Sequence, residues 1–298
     1  MSTLINDKNI TILDGGMGRE LKRIGAPFAQ PEWSALSLIE DPNYVTQAHK
    51  NFIDAGAQTI TTNAYALVPF HIGEQRFFEH AYDLAQTAAK IARDCATTDT
   101  VKVAGCLPPA FGSYQPDSFI TNKAEEILAP LIQAQESFID FWLIETASSI
   151  IEAETAINII QKHSSKPIWL SFTLNNRDDM TQTPSLRSGE AIGAIAPFLL
   201  DVDAILFNCS QPEEMEDAVK VVRALSPTIQ IGAYANNFAE VKRAHKANEG
   251  ISDTRNDITP DAYLEFAKSW TNAGATIIGG CCGIGPEHIS ALSHYFKN

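Results

Sequence analysis

The chain is short of charge, short of cysteine and without any long apolar run, and each shortage excludes something. Charged residues make up 19% of its 298 positions against 45% hydrophobic ones, which excludes a disordered chain and leaves a compact globular one. Positive charge is scarcest: 22 Lys and Arg against 36 Asp and Glu leave a net charge of −14. No basic run is present to hold the phosphates of a nucleic acid. No stretch approaches the roughly 20 apolar residues of a membrane span. The opening MSTLINDKNITILDGG lacks the basic region and apolar core of a secretory signal. A cytoplasmic protein is expected, with five cysteines held as reduced thiols or metal ligands instead of disulfides. No linker rich in Pro, Gly or Ser divides the chain, so residues 1–298 read as one domain. Its oligomeric state, monomer or homo-oligomer, is left open.

What is present is a recurrence. Short β-branched apolar runs lie at 10–14, 58–65, 101–106, 141–146, 167–173, 204–210, 229–235 and 276–282, with helical spacing between them. Asp41-Pro42 and Thr259-Pro260 each read as an N-cap followed by Pro in the first turn. The two helices they open end alike, in DAGAQTI and NAGATII, where a Gly at the helix end leads into a buried strand. Eight buried strands alternating with helices predict a parallel (β/α)8 barrel, with a doubly wound open sheet as the alternative. The long connections follow strands two (ALVPFHIGEQ), three (PPAFGSYQPDSFITNK), five (NNRDDMTQTPSLRSGE) and seven (NNFAEVKRAHKANEGISDTRNDITP). In a barrel all four fall on the C-terminal face, where active sites are built, and a loop as long as the seventh would suit closure over a substrate.

Two of the five cysteines are neighbours. Cys281 and Cys282 sit in IIGGCCGIGPEHI, and Cys209 ends another strand-like run, AILFNCS. Strands six and eight flank strand seven, so the three thiols would meet at one rim. Three thiolates would leave tetrahedral zinc one open position, the arrangement of a catalytic site. Adjacent strand residues point to opposite faces, so both can ligate only where the chain bends, and Gly279, Gly280 and Gly283 make a bend accessible. A vicinal disulfide and a glycine-rich phosphate loop are competing readings of the same run. His288 lies past the bend and is expected to be structural. Cys95 and Cys106 are expected to pack as small hydrophobes.

LDGGMGREL at 13–21, TTNAY at 61–65, LIET at 143–146, FNCS at 207–210 and IIGGCCGIGPEHI at 277–289 together resemble the homocysteine-binding domain of the homocysteine S-methyltransferases, over about residues 10–295. The resemblance implies a (β/α)8 barrel that binds zinc through Cys209, Cys281 and Cys282, with the homocysteine sulfur in the fourth position. It points to Glu145 as a partner of the substrate ammonium, with Asp14 on the same rim as a second acceptor. Backbone N–H groups of the turn Gly15-Gly16-Met17-Gly18 would take the carboxylate. Asn63, Tyr65, Trp33, Tyr234 and Asn236 would line the pocket.

Two departures stand out. Many relatives carry Pro-Asn where this chain has Ala235-Asn236, and strand five ends in SFTLNN where an Asp-Gly phrase is common. Both lie where a methyl donor is expected to approach. With no folate-binding, cobalamin-binding or betaine-type extension within 298 residues, the chain resembles the short enzymes that take methyl from a sulfonium, S-methylmethionine or S-adenosylmethionine. Betaine, a methylfolate, another thiol or selenol acceptor, or a non-catalytic zinc- or amino-acid-binding barrel are the alternatives. The expected partners are small molecules, with neither nucleic acid nor membrane.

Overall fold

The protein, seen in a computed structural model, is described here over residues 10–239 and 253–297. Eight strands appear in the expected places: β1 Thr11–Ile12, β2 Thr59–Thr61, β3 Lys102–Leu107, β4 Phe141–Ala147, β5 Ile168–Phe172, β6 Ala204–Asn208, β7 Gln230–Tyr234 and β8 Ile277–Ile278. All pair in parallel, in the order β1-β8-β7-β6-β5-β4-β3-β2. A parallel bridge between Leu13 and Thr59 joins β1 to β2 and closes the ring. The result is the (β/α)8 barrel and not the open sheet.

Helices α1 Met17–Arg23, α2 Ser34–Glu40 and α3 Asn43–Asp54 follow β1. Then come α4 Pro69–Ile72 and α5 Glu74–Cys95, α6 Thr121–Gln135, α7 Ile150–His163, α8 Pro212–Leu225, α9 Pro260–Ala273 and α10 Pro286–Lys297. The Thr259 hydroxyl accepts from the Ala262 N–H at 3.3 Å, with Pro260 in the first turn. At the other expected start, regular helix begins at Asn43, whose N–H is taken by the Asp41 carboxylate at 3.1 Å. Gly56 and Gly274 end α3 and α9 at φ 101° and 121°, a left-handed turn open to glycine at little cost. Between β5 and β6 the chain forms a 3-10 helix, Ile192–Leu200, with Pro197 inside it.

Alternate strand residues point into the barrel. Phe141, Trp169, Ala204, Leu143, Leu206, Tyr234 and Ile277 fill its interior as one apolar cluster. The Phe141 and Trp169 rings lie 4.1 Å apart, near the N-terminal ends of their strands. A larger core, with Ile12, Ile60, Val103, Trp142, Leu170, Ile205 and Ile231 among its members, packs the outer face of the sheet against the helices. The barrel is thus plugged below and open above. β1 and β8 are shorter than the apolar runs suggest, although hydrogen bonds run on past Ile278: Gly279 N–H reaches Ala233 O at 3.2 Å, Gly280 N–H reaches Asp14 O at 2.9 Å and Cys281 N–H reaches Ala235 O at 2.9 Å. Residues 240–252 of the loop after β7, on which closure over a substrate would depend, lie outside the described residues. Among the described residues, no helix is long and apolar enough to cross a membrane.

Candidate functional site

The open end of the barrel holds a cavity of about 210 Å³. Asp14, Gly15, Trp33, Asn63, Tyr65, Glu145, Tyr234, Cys209, Cys281 and Cys282 line it. Residues from both ends of the chain therefore reach one space only through closure of the barrel.

The three cysteines converge. Their sulfur atoms all lie within 4.8 Å of one another, with 3.8 Å between Cys209 and Cys282. The bend needed for two adjacent cysteines to face one point is present. Gly283 stands at φ 83°, and Cys281 and Cys282 hydrogen-bond across to β7 and its loop, through Ala235 O and Asn237 N–H. Gly16 lets the turn after β1 press against them: a Cβ there would sit 2.6 Å from the Cys281 carbonyl oxygen and 3.1 Å from the Cys282 Cα. Cys209 itself is left-handed, at φ 52°. Its thiol is held well below its ordinary range, because Cys281 and Cys282 hydrogen-bond to its sulfur and outweigh burial, with Tyr114 and Asn236 adding theirs. The same bonds push Cys281 and Cys282 up. Three sulfurs converging in this way are a donor set able to hold a metal ion.

Two carboxyls line the same cavity. Asp14, from the end of β1, is buried and accepts from the Thr61 N–H at 2.8 Å. Burial, and secondarily the charge of Glu145, push it up to about 8. Glu145, on β4, accepts from the Tyr234 hydroxyl at 3.4 Å and from the Cys106 thiol at 3.1 Å. Burial raises it to about 7, and the neighbouring Cys209 adds to this. A cationic group entering between them would relieve both.

The remaining expected residues divide. Asn63 donates to Ser34 O at 3.0 Å, tying β2 to α2. Tyr65 meets the Ser113 hydroxyl at 2.6 Å. Trp33 packs edge-on against Phe28 at the wall. Asn236 lies instead in a small recess behind Cys209, beside Ser210 and Gln211. The Gly16 N–H is committed to Ile284 O at 2.9 Å, which removes it from the expected carboxylate cradle. His288 sits on α10, its ring between the Gly285 N–H and Ile258 O, and takes no part in the sulfur cluster.

Cys95 is buried on α5 as expected. Cys106 is buried too, but it faces the barrel interior and its thiol serves Glu145. Its spacing on β3 could have shown this, since it lies two residues beyond the inward-facing Ala104. Tyr114 was not legible at all. It belongs to the long loop after β3, where no periodicity aims a side chain, yet its hydroxyl lies 2.6 Å from Cys209 Sγ. Phe28, Met17 and Phe238 also line the cavity, each from an irregular segment or the first turn of a helix.

Known proteins are similar to the chain along nearly its whole length. The family model of homocysteine S-methyltransferases matches residues 11–296. Homocysteine S-methyltransferase of Escherichia coli is 27% identical, over 98% of this chain and 97% of its own. Homocysteine S-methyltransferase 1 of Brassica oleracea is 27% identical over 96% and 93%, and selenocysteine methyltransferase of Astragalus bisulcatus 22% over 94% and 90%. The fold matches the metallated form of the homocysteine methyltransferase MmuM from Escherichia coli with a TM-score of 0.77, at 24% identity over 98% of each chain. With the matched segment spanning every strand of the barrel and all three clustered cysteines, the chain belongs to the homocysteine S-methyltransferase family.

Proposed function

We propose that this protein is a zinc-dependent enzyme that methylates the sulfur of L-homocysteine from a small sulfonium donor, giving methionine. The observation that carries the reading is the convergence of Cys209, Cys281 and Cys282 in a cavity that Asp14 and Glu145 also line.

The residues fit zinc. Tetrahedral zinc with bonds of about 2.3 Å to sulfur needs sulfurs about 3.8 Å apart. Cys209 and Cys282 stand at 3.8 Å, and no ligand atom of the three is further than 4.8 Å from another. Bound there, zinc would hold the homocysteine sulfur as a thiolate near neutral pH while three thiolate ligands keep it electron-rich and nucleophilic.

The rest is the work of the protein's own groups. Asp14 and Glu145 attract the substrate ammonium, which fixes the amino-acid end and leaves the sulfur free to reach the cysteines. Phe28, Trp33, Tyr65, Tyr114 and Phe238 give the cavity aromatic faces, which suit a sulfonium cation. The donor's carbon–sulfur bond breaks with its electron pair staying on the departing sulfur. That sulfur leaves as a neutral thioether, so no general acid is required.

The deciding experiment incubates zinc-loaded protein and homocysteine with S-methylmethionine, S-adenosylmethionine, betaine and methylfolate in turn. Methionine from a sulfonium is expected; none from any donor refutes the enzyme reading. The similarity to selenocysteine methyltransferases makes selenocysteine the second acceptor to assay. A single domain over 1–298 acting in the cytoplasm on small molecules completes the reading.

A further inference from the structure

The chain makes the same unusual move at the ends of β4 and β6. Thr146 stands at φ 59° and Cys209 at φ 52°, both left-handed without being glycine. For a β-branched residue such as Thr this is a genuine outlier, kept only where the surroundings enforce it. Each follows directly on a residue whose side chain enters the barrel: Glu145 before Thr146, Asn208 before Cys209.

Asn208 supplies the enforcement. Its Oδ1 accepts from the Thr146 N–H at 3.1 Å and from the Ser171 hydroxyl at 2.8 Å. Its Nδ2 donates to the Thr146 hydroxyl at 2.7 Å, and the same nitrogen lies 4.0 Å from Cys281 Sγ. Asn208, Thr146 and Ser171 are all buried, and these bonds join protein groups directly. The carboxamide grips Thr146 at both its backbone and its side chain. An apolar residue of the same size would fill the space and leave the Thr146 N–H without that acceptor.

We propose that Asn208 is a positioning residue: by holding Thr146 in its left-handed turn, it sets the direction in which Glu145 presents its carboxylate to the cavity. This rests on the reading of Glu145 as a partner of the substrate ammonium. The amide's short bonds go to Thr146 and Ser171, so its loss falls more on recognition of the amino group than on recognition of the thiol.

The test compares two thiols on zinc-loaded protein by calorimetry: homocysteine, and mercaptobutyrate, which lacks only the amino group. Wild type is expected to favour homocysteine by about tenfold or more, the scale of a charge-assisted hydrogen bond. Asn208→Ala shrinks that ratio, weakening homocysteine much more than mercaptobutyrate. Adding Thr146→Gly recovers part of the ratio, since glycine adopts the turn without a clamp. An equal loss for both thiols in Asn208→Ala, or a double variant no better than the single one, overturns the proposal. Should Asn208→Ala not fold, Thr146→Val removes one of the clamp's bonds and must shrink the ratio to a smaller degree; a wild-type ratio there overturns it equally. A wild type that fails to discriminate between the two thiols refutes the ammonium reading itself.

Discussion

Tyr114 reaches out of the loop after β3 to place its hydroxyl 2.6 Å from the sulfur of Cys209. The contact is built from both sides. Gly112 and Tyr114 turn the loop through left-handed positions, φ 108° and 64°, and the Arg187 guanidinium lies 5.6 Å from the centre of the tyrosine ring. The thiol most readily ionised in the cluster thus has a buried hydroxyl donor beside the two other cysteines. Tyr114→Phe keeps the ring and removes that donor. Zinc affinity, measured by chelator competition, is expected to fall about tenfold, as for other partners of metal ligands. Unchanged affinity would mean that the hydroxyl bears on the pocket alone.

Removal of a cysteine is more drastic. Cys282→Ser replaces a thiolate by a neutral hydroxyl in a site whose two other sulfurs cannot close a stable shell alone. Stoichiometric zinc is expected to be lost, with methylation lost alongside it. Metal analysis after dialysis against a weak chelator reads this directly, and retention of one zinc per chain would contradict the ligand set.

Glu145→Gln tests the carboxyls of the site. Glutamine preserves shape and keeps one oxygen to accept from either Cys106 or Tyr234, which meet different oxygens of the carboxylate, but it offers no charge. KM for homocysteine is expected to rise about 10- to 100-fold, the worth of a charged hydrogen bond, with zinc content and donor KM little changed. A fall in zinc content instead would place Glu145 in the metal site.

Asp14 sets a pH dependence whose sign is fixed. Its carboxyl is raised from an ordinary 3.8 to about 8, chiefly by burial. Between those values the unfolded chain has released the proton and the folded chain retains it, so this group's contribution to stability falls as pH rises from about 4 to 8. Asp14→Asn abolishes that slope and still accepts from the Thr61 N–H. In metal-free protein the variant's melting temperature should therefore gain on wild type between about pH 5 and pH 8. Parallel melting curves across that range would show that Asp14 is ionised in the fold.

Gly16→Ala probes the close approach behind the cysteine pair. Its Cβ would meet backbone atoms of Cys281 and Cys282, and backbone has little room to yield. A loss of about 1–3 kcal/mol, typical of overpacking, is expected in chemical denaturation, together with weaker zinc binding. Stability equal to wild type would show that the two turns are free to separate.

Much of this was legible in the residues themselves. The eight apolar runs located every strand because a strand buried on both faces must be apolar throughout, and that constraint is local. The adjacent cysteines flanked by glycines pointed to the sulfur cluster for a similar reason: two neighbouring side chains face one point only where the backbone is free to bend. What could not be read was aim. The resemblance put Cys209, Glu145 and Asn208 into motifs, but not the carboxamide that crosses from β6 to Thr146, nor the thiol of Cys106 beneath Glu145. Both depend on strand register, which sets neighbours far apart in sequence side by side. Asn236 sits behind Cys209 instead of within the main cavity, and Gly16 spends its N–H on Ile284; each follows from a turn whose path no propensity dictates. Tyr114 marks the limit most clearly. Composition, periodicity and spacing settled the barrel and its three sulfurs, because those follow from what each segment must bury. Which irregular loop lays a hydroxyl against the thiolate was decided only when closure of the barrel brought the ends of β3 and β6 to one rim.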